Sequence, residues 1–307
     1  MNKIIKKVYP AVDYGPEDWD MRYDRNIGWI TRDEQEILCE AIIGIAGTGG
    51  MGGGVGATAA RNGMNIKLGD NGCYDVTNMH RQYGARRATV GNNKALETAK
   101  EIRRITDDTQ IVVYPQGIIP LTVDDFLNGP EGKCTVVCNE IEFLQIADRI
   151  NLGKRAQELG IPYFDCNCPG LAVNLHWFPP DGPGMEDILK ISYERASILQ
   201  DECNRGSRAA REEITKLMFA GLVPERVEYK DGDWESLQQR IIEKGTVSII
   251  GSDPFFAASV LMNRILLYLL ENSGVKRDYV KLRPAPAYIH IDTAKLLVKV
   301  VNERSAA

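Results

Sequence analysis

The chain of 307 residues has no C-x-x-C pair and only three histidines, and its seven cysteines are odd in number. Cys39, Cys73, Cys134, Cys138, Cys166, Cys168 and Cys203 therefore suggest no disulfide framework in a chain of this length. Cys166-Asn-Cys168 is the one close pair, too few ligands for a structural zinc site, so no structural zinc is expected. The thiols read as buried or free side chains in a reducing, cytoplasmic setting. Charge of one dominant sign is also missing: 37 Lys+Arg against 42 Asp+Glu leave a net −5, which argues against a non-specific nucleic-acid binder. Met1 to Tyr9 carries three lysines but leads into Pro10, Asp13, Glu17 and Asp18, without the apolar run of a secretory signal. Pro254 to Leu270 is interrupted by Asn263 and Arg264 and reads as a core helix, so no membrane partner is expected. Internal repeats and low-complexity segments are absent too.

Glycine is what the chain has in excess. Eight fall between Ala41 and Ala60, in a window without charge. Twenty uncharged positions match a membrane helix in length, but that many glycines destabilise a helix and leave few bulky groups to meet lipid. A glycine-rich loop between strand and helix is the better reading. Ala41 to Ala46 is a short apolar run, as expected for a buried parallel strand, and a small-residue helix follows to Arg61 with Asn62-Gly63 as its stop. Further strands are expected at Asn65 to Gly69, Gln110 to Tyr114, Thr135 to Cys138, Ile161 to Asp165 and Ala172 to Phe178. They alternate with amphipathic helices at Asn93 to Ile105 and Phe143 to Leu159. This alternation predicts an α/β fold, a doubly wound, mostly parallel Rossmann-like sheet. Residues 186–245 are charged and helical, a helix follows from Pro254 to Asn272, and Ala287 to Val301 reads as a β-hairpin turning near Asp292-Thr293. The chain thus divides as one domain over 1–307: an N-terminal helical arm (1–40), a nucleotide-binding core (41–180), a helical lid or crossover insertion (181–250), and a C-terminal helix and hairpin (251–307).

Gly47-Thr-Gly49-Gly50-Met-Gly52 satisfies G-x-G-x-x-G between a predicted strand and helix, and Asp70 closes the next strand. The glycines permit a tight turn and close approach to phosphate, the helix N-terminus favours the anion, and Asp70 can accept from ribose hydroxyls. Gly50, Gly53 and Gly54 fit a backbone that must approach the ligand closely. On this evidence alone an NAD(P)-dependent oxidoreductase is one reading. Beyond Asp70, however, lie Asn78, His80, Arg81 and Gln82, then Lys94. A dehydrogenase has no need of an Arg and a Lys there, whereas a triphosphate, with about four negative charges, needs an Arg fork and a Lys point charge. His176 and His290 fall in predicted strands and read as structural.

The loop, the D-x-x-x-x-x-x-x-N-x-x-R-Q run from Asp70 to Gln82 and Gly91-Asn-Asn-Lys94 together resemble the ThiF/MoeB/HesA family, relatives of ubiquitin-activating enzymes. Arg22-Tyr-Asp-Arg25-Asn-Ile27 and Asp33-Glu-Gln35 add to the resemblance, which covers roughly residues 20 to 180. It implies an ATP-dependent adenylyltransferase that activates the C-terminal carboxylate of a ubiquitin-like protein or peptide as an acyl-adenylate, releasing pyrophosphate. Asp70 would hold the ribose, and Asn78, Arg81 and Lys94 the phosphates. Arg25 would reach the triphosphate in trans from the partner of a homodimer. In-line attack on the α-phosphate needs stabilising cations with Mg²⁺ and no general base, since a carboxylate is already ionised at neutral pH. Where the family carries D-x-x-D, this chain has Asn139-Glu-Ile-Glu142; Glu142 is the expected Mg²⁺ ligand, with Glu140 as a neighbouring carboxylate. Those departures motivate a third reading, a non-catalytic nucleotide-binding scaffold. Gly72 stands where many members carry a second acidic residue, and no cysteine has a recognisable thioester context. Only the first 20 or so residues precede the resemblance, so no dedicated leader-peptide-binding domain is expected, and specificity is expected in residues 180–250.

Overall fold

The computed structural model describes residues 3–225, 227 and 233–302. Residues 1–2, 226, 228–232 and 303–307, assigned above to the arm, the insertion and the C-terminal stretch, lie outside the described residues. In chain order the elements are β1 (Lys7–Tyr9), α1 (Pro16–Tyr23), α2 (Arg32–Glu40), β2 (Ile42–Ala46), α3 (Gly50–Arg61), β3 (Asn65–Gly69), α4 (Lys94–Arg103) and β4 (Ile111–Tyr114). Next come α5 (Val123–Asn128), the short β5 (Gly132–Lys133), β6 (Val136–Asn139), α6 (Ile146–Glu158), β7 (Tyr163–Asn167) and β8 (Ala172–Phe178). The helices α7 (Met185–Leu189), α8 (Tyr193–Asn204), α9 (Arg208–Leu222), α10 (Asp233–Lys244) and α11 (Asp253–Leu269) lead to β9 (Tyr288–Asp292) and β10 (Leu297–Val301).

Nine strands form one sheet in the order β1-β4-β3-β2-β6-β7-β8-β9-β10. Its centre, β4 to β7, is parallel, and these strands are almost wholly buried, as strands covered on both faces are, with Val and Ile dominating β2, β4 and β6. The flanks are antiparallel: β1 pairs with β4, and β8, β9 and β10 extend the other side. The predicted C-terminal hairpin is thus a continuation of the main sheet, and the N-terminal arm opens with an edge strand. One face carries α2, α3, α4 and α11, packed on Ile43, Ile45, Leu68 and Phe164. The other carries α5, α6 and the helical insertion α7–α10, packed on Val112, Tyr114, Val137 and Phe178. Among the described residues no helix is long and apolar enough to cross a membrane.

The order reverses at β2: β3 and β4 run to one side, β6 and β7 to the other. A crevice opens outside the carboxyl ends of the strands at such a switch point, and the glycine loop sits on it. Several of its glycines serve packing. A Cβ on Gly54 would meet Ala258 at 3.0 Å, and one on Gly53 would meet Tyr83 at 2.9 Å. These two let α3 lie close against α11 and the Tyr83 segment, a correction to the expectation that they approach a ligand.

Candidate functional site

The loop after β2 turns where Gly47 adopts φ +97, and a Cβ there would collide with the Glu140 carbonyl oxygen at 2.1 Å. The Gly47 N–H donates to the Gly69 carbonyl (2.7 Å) and the Glu140 N–H to the Ala46 carbonyl (2.7 Å), so the ends of β3, β2 and β6 are laced together under the loop. α3 then starts at Gly50, its unpaired N–H groups directed at the crevice.

A cavity of about 720 Å³ occupies this crevice. Gly47, Gly49, Gly50, Gly52, Asp70, Asn78, Arg81, Gln82, Lys94 and Glu142 all line it. Arg25 does not: its side chain is 99% exposed on the segment between α1 and α2, with Asp24 as its nearest charged neighbour.

Each polar group is positioned by its local fold. Asp70, at the end of β3, accepts from the Thr48 N–H at 2.8 Å and from the Gly72 N–H at 2.8 Å, which splays its two carboxylate oxygens across the loop. Asn93 caps α4 by accepting from the Leu96 N–H (3.1 Å), while its amide donates to the Asp70 carbonyl (2.9 Å). Lys94, the first residue of α4, is thereby held beside Asp70. At Gly72 an added Cβ would lie 3.0 Å from Asp70 Oδ1 and 3.4 Å from Lys94 Nζ, between anchor and cation. A short 3₁₀ turn, Val76–Asn78, is closed by Asn78 Oδ1 accepting from the Asp75 N–H at 3.0 Å. It presents Arg81, whose Nη1 donates to the Thr77 carbonyl at 2.6 Å. Arg81 Nε and Gln82 Oε1 are buried without a hydrogen-bond partner. Buried polar atoms are rarely left so unless a ligand completes them.

The β6 end brings two carboxylates to the cavity. Glu142 is exposed at its mouth, and Glu140 points inward with a buried, unpartnered Oε1. Burial, reinforced by the nearby Asp165 charge, pushes the Glu140 carboxyl well above the usual range. Arg149, also in the cavity wall, pairs with the fully buried Asp165 at 2.5 Å and donates to the Ile141 carbonyl, fixing the strand-to-helix turn that carries both glutamates. Among the described residues no cluster of three or more His, Cys, Asp or Glu is placed to hold a metal. Cys166 and Cys168 reach the wall, but burial raises both thiols, so neither is an activated nucleophile.

Three contributors lie outside the residues singled out from sequence, although one of them falls within 180–250, where specificity is expected. Ile118 and Ile119 form an apolar wall beyond β4. The segment 245–249 crosses the cavity, its Ile249 carbonyl 3.2 Å from His80 Nε2. Pro254, in the first turn of α11, also lines the cavity and packs on Gly50. None lies in a motif; only the apolar character of the two isoleucines was visible.

The fold has solved counterparts. PaaA matches with a TM-score of 0.63 at 14% identity over 94% of this chain and 75% of that one. E. coli MccB with ATP matches at TM-score 0.60 and 16% identity over 92% and 71%. The microcin C7 biosynthetic enzyme MccB with N-formylated MccA gives 0.59 and 17% over 92% and 72%. At these identities the likeness is one of fold. No curated protein matches the sequence. The ThiF family model, however, matches residues 23–304, and with the glycine loop, Asp70, Arg81 and Lys94 gathered in one crevice, this chain belongs to the ThiF family.

Proposed function

We propose that the protein is an ATP-dependent adenylyltransferase that activates the C-terminal carboxylate of a ubiquitin-like protein or peptide as an acyl-adenylate, releasing pyrophosphate. The observation that carries this reading is the convergence of a ribose-accepting carboxylate, Asp70, with two cations, Arg81 and Lys94, at the N-terminus of α3 in one cavity. A dinucleotide needs the first and third of these features; a triphosphate needs all of them. Asp70 orients the ribose, and Asn78 and Gln82 direct amide groups at the phosphates. Arg81 and Lys94 stabilise charge as the α-phosphate is attacked. The ionised acceptor carboxylate is itself the nucleophile, so no base is required.

The donor chemistry at the β6 end fits a hard divalent cation. Glu140 has an orphan carboxylate oxygen inside the cavity, and Glu142 stands at its mouth. Together they would hold Mg²⁺, which neutralises phosphate charge when bound and would keep Glu140 ionised despite its burial. Arg25, free of the cavity in its own subunit, acts in trans in a cytoplasmic homodimer. That MccB has been crystallised with ATP and with N-formylated MccA supports a nucleotide-plus-peptide reading here.

Calorimetry with Mg·ATP and with NAD separates the adenylation and oxidoreductase readings: Mg·ATP is expected to bind, and tight NAD binding without Mg·ATP binding would overturn the proposal. ATP–pyrophosphate exchange with an acceptor then tests chemistry. Mixing Arg25→Ala with Lys94→Ala subunits is expected to restore activity in heterodimers; no recovery would remove Arg25 from the site.

A further inference from the structure

We infer that the acceptor is an extended polypeptide tail carrying a bulky apolar side chain at its terminal residue or the one before it; this rests on the adenylation reading and names its substrate class. The strand order divides the crevice. Asp70 and Gly117–Ile119, from the ends of β3 and β4, lie on one side of the glycine loop; Glu140–Phe143 and Cys166–Pro169, from β6 and β7, lie on the other. A nucleotide whose ribose meets Asp70 and whose phosphates meet α3 uses the first side. The second side, beyond the two glutamates assigned to Mg²⁺, is left for the acceptor.

That second side is apolar where the helical insertion closes it. Phe143 meets Phe219 edge to face at 5.7 Å, and Phe219 meets Trp234 at 5.0 Å. Phe143, Phe219, Val223, Leu237 and Val247 all face the cavity, on elements as distant as the β6 end, α9, α10 and the segment after it. A Gly-Gly tail would leave this wall against water, whereas a Leu or Phe side chain would cover it.

The neighbouring backbone fits an extended partner. Along 246–249 the side chains alternate, Thr246 and Ser248 exposed, Val247 and Ile249 half-buried, the two-residue period of an extended chain. Yet the segment joins no strand, and among the described residues its N–H groups have no backbone partner. A peptide laid alongside can pair with those groups as an added strand, which directs every second side chain to one face. The carboxylate at its end would then meet the cationic side of the cavity at Arg81.

The test is ATP–pyrophosphate exchange with synthetic decapeptides ending in -Gly-Gly, -Leu-Gly or -Gly-Leu, with Mg·ATP affinity measured on the same samples. At least one leucine peptide is expected to exceed -Gly-Gly in kcat/KM by tenfold or more. Val247→Trp, which fills the lobe, and Val247→Asp, which makes it polar, are each expected to abolish that preference while still binding Mg·ATP. Equal or better use of -Gly-Gly, or a leucine preference unchanged in both variants, would overturn the inference. Binding of Mg·ATP with turnover of no peptide would overturn it while leaving the adenylation reading intact; failure to bind Mg·ATP would overturn both.

Discussion

Glu34 and Glu140 are both carboxylates withdrawn from water, in opposite electrostatic states. Glu34 accepts from Arg277 Nη1 and Nη2 at 2.5 and 2.6 Å, from Ser273 Oγ, and from the Thr31 N–H at 2.9 Å, where it completes the capping box of α2. The Arg277 hydrogen bonds hold its carboxyl down at about 2. Glu140 has neither cation nor donor on its Oε1, and its carboxyl is pushed up. In the same cavity Arg81 Nε and Gln82 Oε1 are also buried without a partner, as is Asp253 Oδ2 next to the lining residue Pro254. The Glu34–Arg277 pair ties the arm to the C-terminal stretch with both of its charges answered. The Glu140 region keeps polar atoms desolvated and unpaired beside a cavity, a state that lowers stability by about 1–3 kcal/mol per group and is retained where a ligand supplies the missing partners.

Substitutions should therefore separate the two regions. Lys94→Ala is expected to lower kcat/KM for adenylation by about 10²–10³-fold, the usual loss when one stabilising donor is removed, with a thermal midpoint near that of the wild type. Unchanged ATP affinity and turnover would mean that the cation side of the cavity has been misplaced. Glu34→Gln is expected to do the reverse, lowering stability by about 3 kcal/mol, as when one partner of a buried pair is removed, with Mg·ATP affinity retained. It also has a pH signature. Glu34 sits below its ordinary value of 4.5, so its contribution is present above pH 4.5 and is lost as pH falls toward about 2. Acid titrations followed by circular dichroism should show this limb flattened in the variant.

Asp253 gives a smaller effect of opposite sign. Burial raises its carboxyl from 3.8 to about 7, so the folded state keeps a proton that the unfolded chain releases. Stability then falls as pH rises through that window and levels off above it. Asp253→Asn should remove the slope and gain about 1–2 kcal/mol at pH 8, measured by urea denaturation, with no gain at pH 4. Smallest is Gly72→Ala. Its added methyl would crowd Asp70 Oδ1 and Lys94 Nζ without straining the backbone; Mg·ATP affinity should drop about threefold to tenfold, within 1.4 kcal/mol, and the melting curve should not move.

The parallel centre of the sheet and the glycine loop could be read from sequence because both are local signals: short apolar runs, and glycines at fixed offsets after one of them. Lys7–Tyr9 could not, since three residues with a lysine carry no strand period, and this edge exists only because β4 is there to pair with. The antiparallel placement of β8 depends on β7 and β9 together. At the site, Asp70, Asn78, Arg81, Gln82 and Lys94 were found through spacing, and the crevice unites them. Glu140 was seen only as a neighbour of Glu142, because the direction of a side chain just past a strand end is set by the turn that Arg149 braces. The Glu34–Arg277 pair joins residues 243 positions apart and leaves no periodic trace. Glycine abundance misled in one respect, since Gly53 and Gly54 serve helix packing.

The antiparallel flank also sets the order in which the molecule is made. β8 ends at Phe178, but its partner β9 begins at Tyr288, with the whole helical insertion and α11 translated between them. At ribosomal speeds of about 5–20 residues per second, that interval lasts roughly 5–20 seconds. Throughout it, β8 is an unpaired sheet edge on a nascent chain, open to association with other strands. Vectorial synthesis thus makes this fold's most exposed moment a late one, after the nucleotide crevice has its strands and before the sheet is closed.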